Sequence, residues 1–106
     1  MWTPGTPITF DATGKSILTT TVGAVKGLRI YQFPTNTHTI FSGDSTLDPT
    51  ATPPTGISGW AGAPGPTGPA PLIDAYETNS MNGIDANKIF VYGTPGEIVL
   101  WSYVIQ

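Results

Sequence analysis

Residues 88–105 read KIFVYGTPGEIVLWSYVI. Two runs rich in β-branched and aromatic residues, 88–92 and 97–105, flank Gly93-Thr94-Pro95-Gly96. Val, Ile and aromatics favour extended backbone, and a Gly/Pro segment between them is turn chemistry. The reading is a pair of strands joined tightly. In the second run Val99, Trp101, Tyr103 and Ile105 alternate with Ile98, Leu100, Ser102 and Val104. That period of two is the mark of a strand. Both alternating sets are largely apolar, which predicts a central strand or one with a face against a partner chain.

Working outward, the same signals recur at intervals of 8–14 residues. Ile8, Phe10 and Ala12 alternate with Thr9 and Asp11, and a turn at Ala12-Thr13-Gly14-Lys15 follows. Residues 16–22 read as a strand with Leu18 and Val22 on one face. In residues 28–33, Leu28, Ile30 and Gln32 oppose Arg29, Tyr31 and Phe33. After Pro34-Thr35-Asn36, residues 37–42 give a further strand, close enough to the previous one for a hairpin. Residues 43–71 show no convincing strand, being dense in Gly, Pro and Thr. Strand character returns at 72–77, and a polar turn over 78–83 leads back to the closing pair. About seven strands predict an all-β chain, a small antiparallel β-sandwich or jelly-roll-like barrel with one long Gly/Pro-rich loop. The expected division is an N-terminal arm at 1–7 and a single domain at 8–106, with the loop at 49–71.

Composition narrows the function. The chain has 106 residues, a net charge of −3 and only 10% charged residues, against roughly 25% in an ordinary soluble domain. Four Lys and Arg cannot track a phosphate backbone, so no nucleic-acid partner is expected. There is no Cys and a single His, which removes disulfides, thiolate sites and multi-His zinc sites. No cofactor is expected. The N-terminus MWTPGTPITF lacks a basic segment and an apolar run, and the longest mostly apolar stretch is far below the roughly 20 residues of a membrane helix. The expectation is a soluble, complete chain made in the cytoplasm, without a membrane partner. Gly and Pro together supply 24 of the 106 residues, and a β-body this small without a staple invites oligomerisation as a source of stability.

One segment has an internal period. Gly56, Gly59, Gly62, Gly65 and Gly68 recur every third residue, with Pro64, Pro66 and Pro69 in the intervening positions. Only Gly fits the crowded axis of a collagen-type triple helix, so a short triple-helical run, aligned by a trimeric body, is one reading. An extended polyproline-like surface loop is the other. Trp60 lies inside the repeat, either as a contact anchor at an interface or folded back on the sandwich.

Chemistry-bearing constellations are sparse. His38 sits in THTIF, where pairing with Ser42 or Ser45 lacks a third member, and a solvent-facing strand residue is the plainer reading. Asp44 and Asp48 in GDSTLD are too few for a calcium loop and fit Asx-type turns. Asp85 and Asn87 read as turn formers. Gly93-Thr94-Pro95-Gly96 lacks the Lys and helix of a phosphate loop. The aromatic pairs Tyr31/Phe33 and Trp101/Tyr103 either fill a core or subunit interface, or form an exposed row able to stack on sugar rings. No enzyme is expected.

Three stretches carry a resemblance: GLRIYQFPTNTHTIFSGDSTL (27–47), PLIDAYE (71–77) and IDANKIFVYGTPGEIVLW (84–101). Gly43, Ser45 and Leu47 match a G-[DS]-S-x-[VL] turn; Pro71 and Leu72 match a P-L segment. Ile84, Asp85, Lys88, Ile89, Phe90, Val91, Gly93, Gly96, Glu97 and Val99 match a closing hairpin of the form [LI]-D-x-x-K-I-[YF]-V-x-G-x-x-G-[DE]-x-V. Together these resemble small virion proteins of tailed bacteriophages, over about two thirds of the chain. The Gly/Pro ladder departs from that pattern, which has a short link there. The resemblance implies a jelly-roll-like β-sandwich that decorates the outer capsid surface as a cement protein. It implies the major capsid protein as partner and no catalytic residues; self-association, with a trimer favoured, is expected from the small size and the glycine period. Candidate interface residues are then Trp2, Trp60, Pro64, Pro66, Pro69, Trp101 and Tyr103. The alternatives are a tail fibre, baseplate or adhesion subunit, or a small carbohydrate-binding module.

Overall fold

The computed structural model describes residues 2–63, 71–77 and 83–105. Among these residues ten strands run in chain order as β1 (Thr3–Pro4), β2 (Ile8–Thr9), β3 (Lys15–Ile17), β4 (Ala24–Gln32), β5 (Ile40–Asp48), β6 (Thr55–Ala61), β7 (Leu72–Glu77), β8 (Ile84–Asp85), β9 (Phe90–Tyr92) and β10 (Ile98–Ile105). The only helical element among the described residues is one 3-10 turn, Ala86–Lys88.

All pairings are antiparallel, and the strands form two sheets. The first has the order β1-β10-β4-β7, with β2 also pairing β10 and β8 pairing β4. The second has the order β3-β9-β5-β6. With β1 and β2 counted as one interrupted strand and β8 as an accessory, eight strands alternate between the sheets in the jelly-roll pattern. Among the main strands only β5 and β6 are consecutive and paired; every other step crosses from one sheet to the other. The sandwich class expected from the sequence is therefore the class observed.

The two expected hairpins are not hairpins. Strands β4 and β5 lie in different sheets, as do β9 and β10. The turns at 34–36 and 93–96 are arches that carry the chain across the sandwich. A hairpin and an arch bury the same alternate residues, so local pattern and turn chemistry cannot separate them. Long-range pairing decides: β10 aligns with β4 from Val99↔Gln32 to Val104↔Gly27, and β9 aligns with β5 at Phe41↔Tyr92.

Three further expectations change. The span 43–71 contains strand after all, since β5 continues to Asp48 and β6 covers Thr55–Ala61. The β5–β6 ladder shifts register on either side of Gly43, and Gly59 permits close approach: a Cβ there would lie 2.5 Å from the Ile73 carbonyl oxygen of the facing sheet. Gly56 and Gly59 are thus strand residues of one sandwich, incompatible with a triple helix over that part, while Gly65, Gly68, Pro64, Pro66 and Pro69 lie outside the described residues. The strand read at 16–22 is shortened to β3, after which Leu18 turns into the core. The arm at 1–7 is not free, because β1 and β2 both pair along β10, Thr3↔Tyr103 and Ile8↔Val99.

The core lies between the sheets. Val25, Leu28 and Ile30 of β4 and Val99 of β10 face Ile40 of β5 and Val91 of β9, all fully buried. Leu28, Ile30 and Gln32 share the inward face, as their alternation predicts, and β10 is central to its sheet. Trp101 joins this core at 5% exposure, with Tyr103 stacked beside it at 5.4 Å between ring centroids. Trp2 reaches across the outer face over Gly27, where the Arg29 guanidinium sits 4.1 Å from its ring. On the same outer face Ile98, Leu100 and Val104 of β10 are half-buried.

Candidate functional site

Three arches stand side by side at one end of the sandwich: residues 10–14, 93–97 and 33–39. Backbone bonds lace the first two together, Gly96 N–H donating to the Phe10 carbonyl at 2.9 Å, Phe10 N–H to Glu97 at 3.0 Å and Gly93 N–H to Gly14 at 2.8 Å. Side chains lock the third. The Asn36 amide nitrogen donates to the Ile98 carbonyl at 2.6 Å and to Gln32 Oε1 at 2.7 Å. Gln32 is wholly buried, and its Nε2 donates to the carbonyls of His38, Ala61 and Gly62. The Glu97 carboxylate accepts from the Thr37 amide at 2.6 Å, the Thr37 hydroxyl at 3.2 Å and the His38 amide at 3.2 Å, with His38 Nδ1 at 3.5 Å. Burial pushes this carboxyl up, but the bonds from the Thr37 amide, His38 and the Thr37 hydroxyl together outweigh it and hold the group below its ordinary value.

Three Asp-x-Thr triplets, DAT at 11–13, DST at 44–46 and DPT at 48–50, form matching turns. In each, the Thr hydroxyl and amide both donate to one carboxylate oxygen, the hydroxyl at 2.5–2.6 Å. The Thr hydroxyl, then the Thr amide, holds each of Asp11, Asp44 and Asp48 below the usual carboxylate range. The Asx-turn reading of Asp44 and Asp48 is the observed one.

The arches frame a site on the outer face of the second sheet. Strand register sets Trp60 of β6 beside Phe41 of β5, Phe41 beside Tyr92 of β9, and Tyr92 beside Lys15 of β3. Three aromatic side chains thus form a row across three strands. Over Phe41 and Tyr92 opens a cleft of about 400 Å³, walled by Thr13, His38, Thr39, Thr50 and Thr94 with Pro49 and Pro95 at the margin. A second cleft of similar size, between residues 4–8 and 18–22, has Trp101 and Tyr103 at its base.

A polar cluster bridges the sheets on the β6–β7 side. The Ser42 and Ser58 hydroxyls donate to Asp74 Oδ2 at 2.9 and 2.8 Å, and Tyr76 lies 2.7 Å from Ser58. Desolvation raises the Tyr76 phenol, with Asp74 adding to the effect against the Ser58 bond, so the phenol stays protonated. Ser42 is therefore committed to Asp74 on the inner face, while His38 turns toward Glu97 at the arches; the pairing of His38 with Ser42 is not formed. No buried side-chain polar atom lacks a partner, and no group of three metal-ligating side chains is found, among the described residues.

The structure disperses the expected interface residues. Trp60 is 65% exposed. Trp101 is a correction: its indole lies beneath Gly5, where a Cβ would come within 2.1 Å of the ring, and its N–H donates to the Thr6 carbonyl at 2.8 Å. It is buried at 5% exposure, not presented on the surface as an interface residue was expected to be, and Tyr103 beside it is partly covered. Trp2 is half-buried against Gly27 and Arg29. The row of Trp60, Phe41 and Tyr92 escaped the sequence reading. Alternation alone places Phe41 opposite to Ile40, and Tyr92 opposite to Val91, but only pairing makes positions 41, 60 and 92 neighbours. No helix among the described residues is long and apolar enough to cross a membrane. No family model, curated protein or solved structure matches this chain.

Proposed function

We propose that the chain is a structural virion protein of a tailed bacteriophage, a decoration protein that binds the outer surface of the major capsid protein shell and stabilises it. The observation that carries this reading is the eight-strand jelly-roll order, β2-β10-β4-β7 against β3-β9-β5-β6. That architecture is used repeatedly by viral coat domains, and by lectins and cupins. Fold alone does not assign function. The motif resemblance over residues 27–47, 71–77 and 84–101 adds to it, and the low charge suits a densely packed assembly, where desolvating ions is costly.

The contact surface on this reading is the side where β6 passes to β7. Trp60 and Leu72 are exposed at either end of that connection, at 65% and 47%. Burying these two large apolar side chains against a shell or a sister copy would stabilise the contact. Binding an expanded shell in preference to its precursor stabilises the expanded form by mass action. Self-association as a trimer belongs to the same proposal.

Reconstitution tests it. Shells assembled without the protein, then mixed with it, are expected to carry copies in proportion to their capsid subunits and to resist heating better. Trp60→Ala with Leu72→Ser should reduce occupancy. Absence of bound copies, with unchanged heat resistance, rejects the reading; copies confined to the tail in an image of the particle replace it with a tail component.

A further inference from the structure

We infer that the cleft over Phe41 and Tyr92 is a binding site for a neutral saccharide, a property independent of where the protein sits in a particle. The argument begins with the floor. Phe41 and Tyr92 are direct cross-strand neighbours on the outer face of the second sheet, so their rings lie side by side and remain partly open to solvent. An aromatic surface of this kind suits the C–H face of a pyranose ring, which is apolar and flat. Trp60, next in the row on the far side of Phe41, extends the platform beyond the cleft.

The walls select for hydroxyls. Thr13, Thr39, Thr50 and Thr94 line the cleft, together with the His38 imidazole. The hydroxyl protons of Thr13 and Thr50 are committed to the carboxylates of Asp11 and Asp48, each at 2.6 Å. With their protons so placed, those two oxygens can only accept, and Thr13 Oγ1 already takes a long bond of 3.4 Å from the Lys15 amide. His38 turns Nδ1 toward Thr37 and Glu97, at 3.0 and 3.5 Å, which leaves Nε2 as the ring nitrogen for other partners. A polyhydroxylated ring supplies the donors such a rim requires.

Charge argues against ionic ligands. Among the described residues no Asp, Glu, Lys or Arg lines the cleft. Lys15, next to Tyr92 in the sheet, is held by the Ser45 carbonyl at 2.8 Å and lies over the Phe90 ring, so no cation is poised for phosphate or sulfate. The carboxylates of Asp11 and Asp48 bond to their own threonines and are not among the lining residues, so the cleft offers a cationic ligand no direct carboxylate contact. A volume of about 400 Å³ is at the small end of ligand sites, enough for about one or two sugar rings. All three arches contribute to the lining, and their mutual bonds hold the site in shape before a ligand arrives.

The test uses the full chain against an array of neutral glycans (α- and β-glucans, mannan, galactan and N-acetylglucosamine oligomers), with sulfated and uronic-acid glycans as a comparison set. Retention by at least one neutral glycan is expected. Tyr92→Ala removes half of the floor and Thr39→Arg fills the cleft from an exposed position; each should weaken binding by about tenfold or more. Trp2→Ala, on the opposite sheet, should leave it unchanged. Circular dichroism establishes folding, and Thr39→Arg decides the matter if Tyr92→Ala does not fold. Failure to bind any neutral glycan overturns the inference. So does binding that survives Thr39→Arg, binding confined to anionic glycans, or a cleft that captures a protein and no sugar. Shell binding is measured separately, so either result can fail without the other.

Discussion

Gln32 has no solvent exposure at the end of β4, and its two amide protons are shared among the carbonyls of His38, Ala61 and Gly62. One side chain thereby ties an arch, the end of β6 and, through Asn36, the start of β10. Replacing it with Leu keeps the bulk but strands those carbonyls and the Asn36 amide. Gln32→Leu should cost about 2–4 kcal/mol in urea unfolding, more than its size change implies. Glu97 gives a pH-dependent counterpart. Its folded-state pKa is depressed, so the unfolded chain binds the proton more readily. The stabilisation is complete above the ordinary carboxylate pKa and disappears as pH falls through the lower folded value. Glu97→Gln should lose about 1–2 kcal/mol at neutral pH and show a flatter loss of stability on acidification than the parent. Neither residue's role is visible in sequence: Gln32 shows only as a polar residue on an apolar face, and the arch that Glu97 holds lies about sixty positions away.

At the scale of elements, the N-terminal strand is the instructive case. Residues 1–7 read as an arm because Pro4, Gly5 and Pro7 interrupt any regular pattern. Those interruptions are what let the chain bulge over an indole: Gly5 rests on Trp101 and donates its N–H to the Trp101 carbonyl at 2.8 Å, and Thr6 turns its carbonyl to the ring nitrogen. A larger residue at position 5 has no room beside the ring. Gly5→Val should lift β1 and β2 from β10, cost at least about 2 kcal/mol and shift the tryptophan emission to longer wavelength as Trp101 meets water. A free arm would produce neither effect. Other elements were plainer. The strict alternation of β4 and β10 followed from period two, because each has one face in a continuous core. The glycine period at 56–62 misled because every third Gly suits a triple helix, whereas here Gly59 answers to the backbone of β7.

For the whole molecule, the jelly-roll order makes nearly all pairing non-local. β2 at the start of the chain pairs with β10 at its end, and β4 with β10 and β7. Loop closure must precede these contacts, so refolding from denaturant should take milliseconds to seconds, slower than for a helical protein of similar length. Stopped-flow tryptophan fluorescence measures this, and a microsecond phase carrying all the amplitude would contradict it. Acid acts on the same global equilibrium. Asp11, Asp44, Asp48 and Glu97 all have lowered pKa values in the folded chain, so each favours the native state when ionised. The melting temperature should hold from neutral pH into the weakly acidic range and fall once the pH drops below the ordinary carboxylate values. A melting temperature unaffected by strong acid would show that these turns contribute nothing.

Strand content, the alternating faces of β4 and β10, the turns at Asp44 and Asp48 and the shortage of charged groups were all legible in the chain as written. Each depends on a residue and its near neighbours, through backbone propensity, a period of two, or a hydroxyl two positions from a carboxylate. The arches, the covering of Trp101 and the cleft over Phe41 and Tyr92 belong to tertiary structure alone. They depend on which distant strands lie next to one another, and alternation specifies the face a side chain occupies while leaving its neighbour in the adjoining strand open.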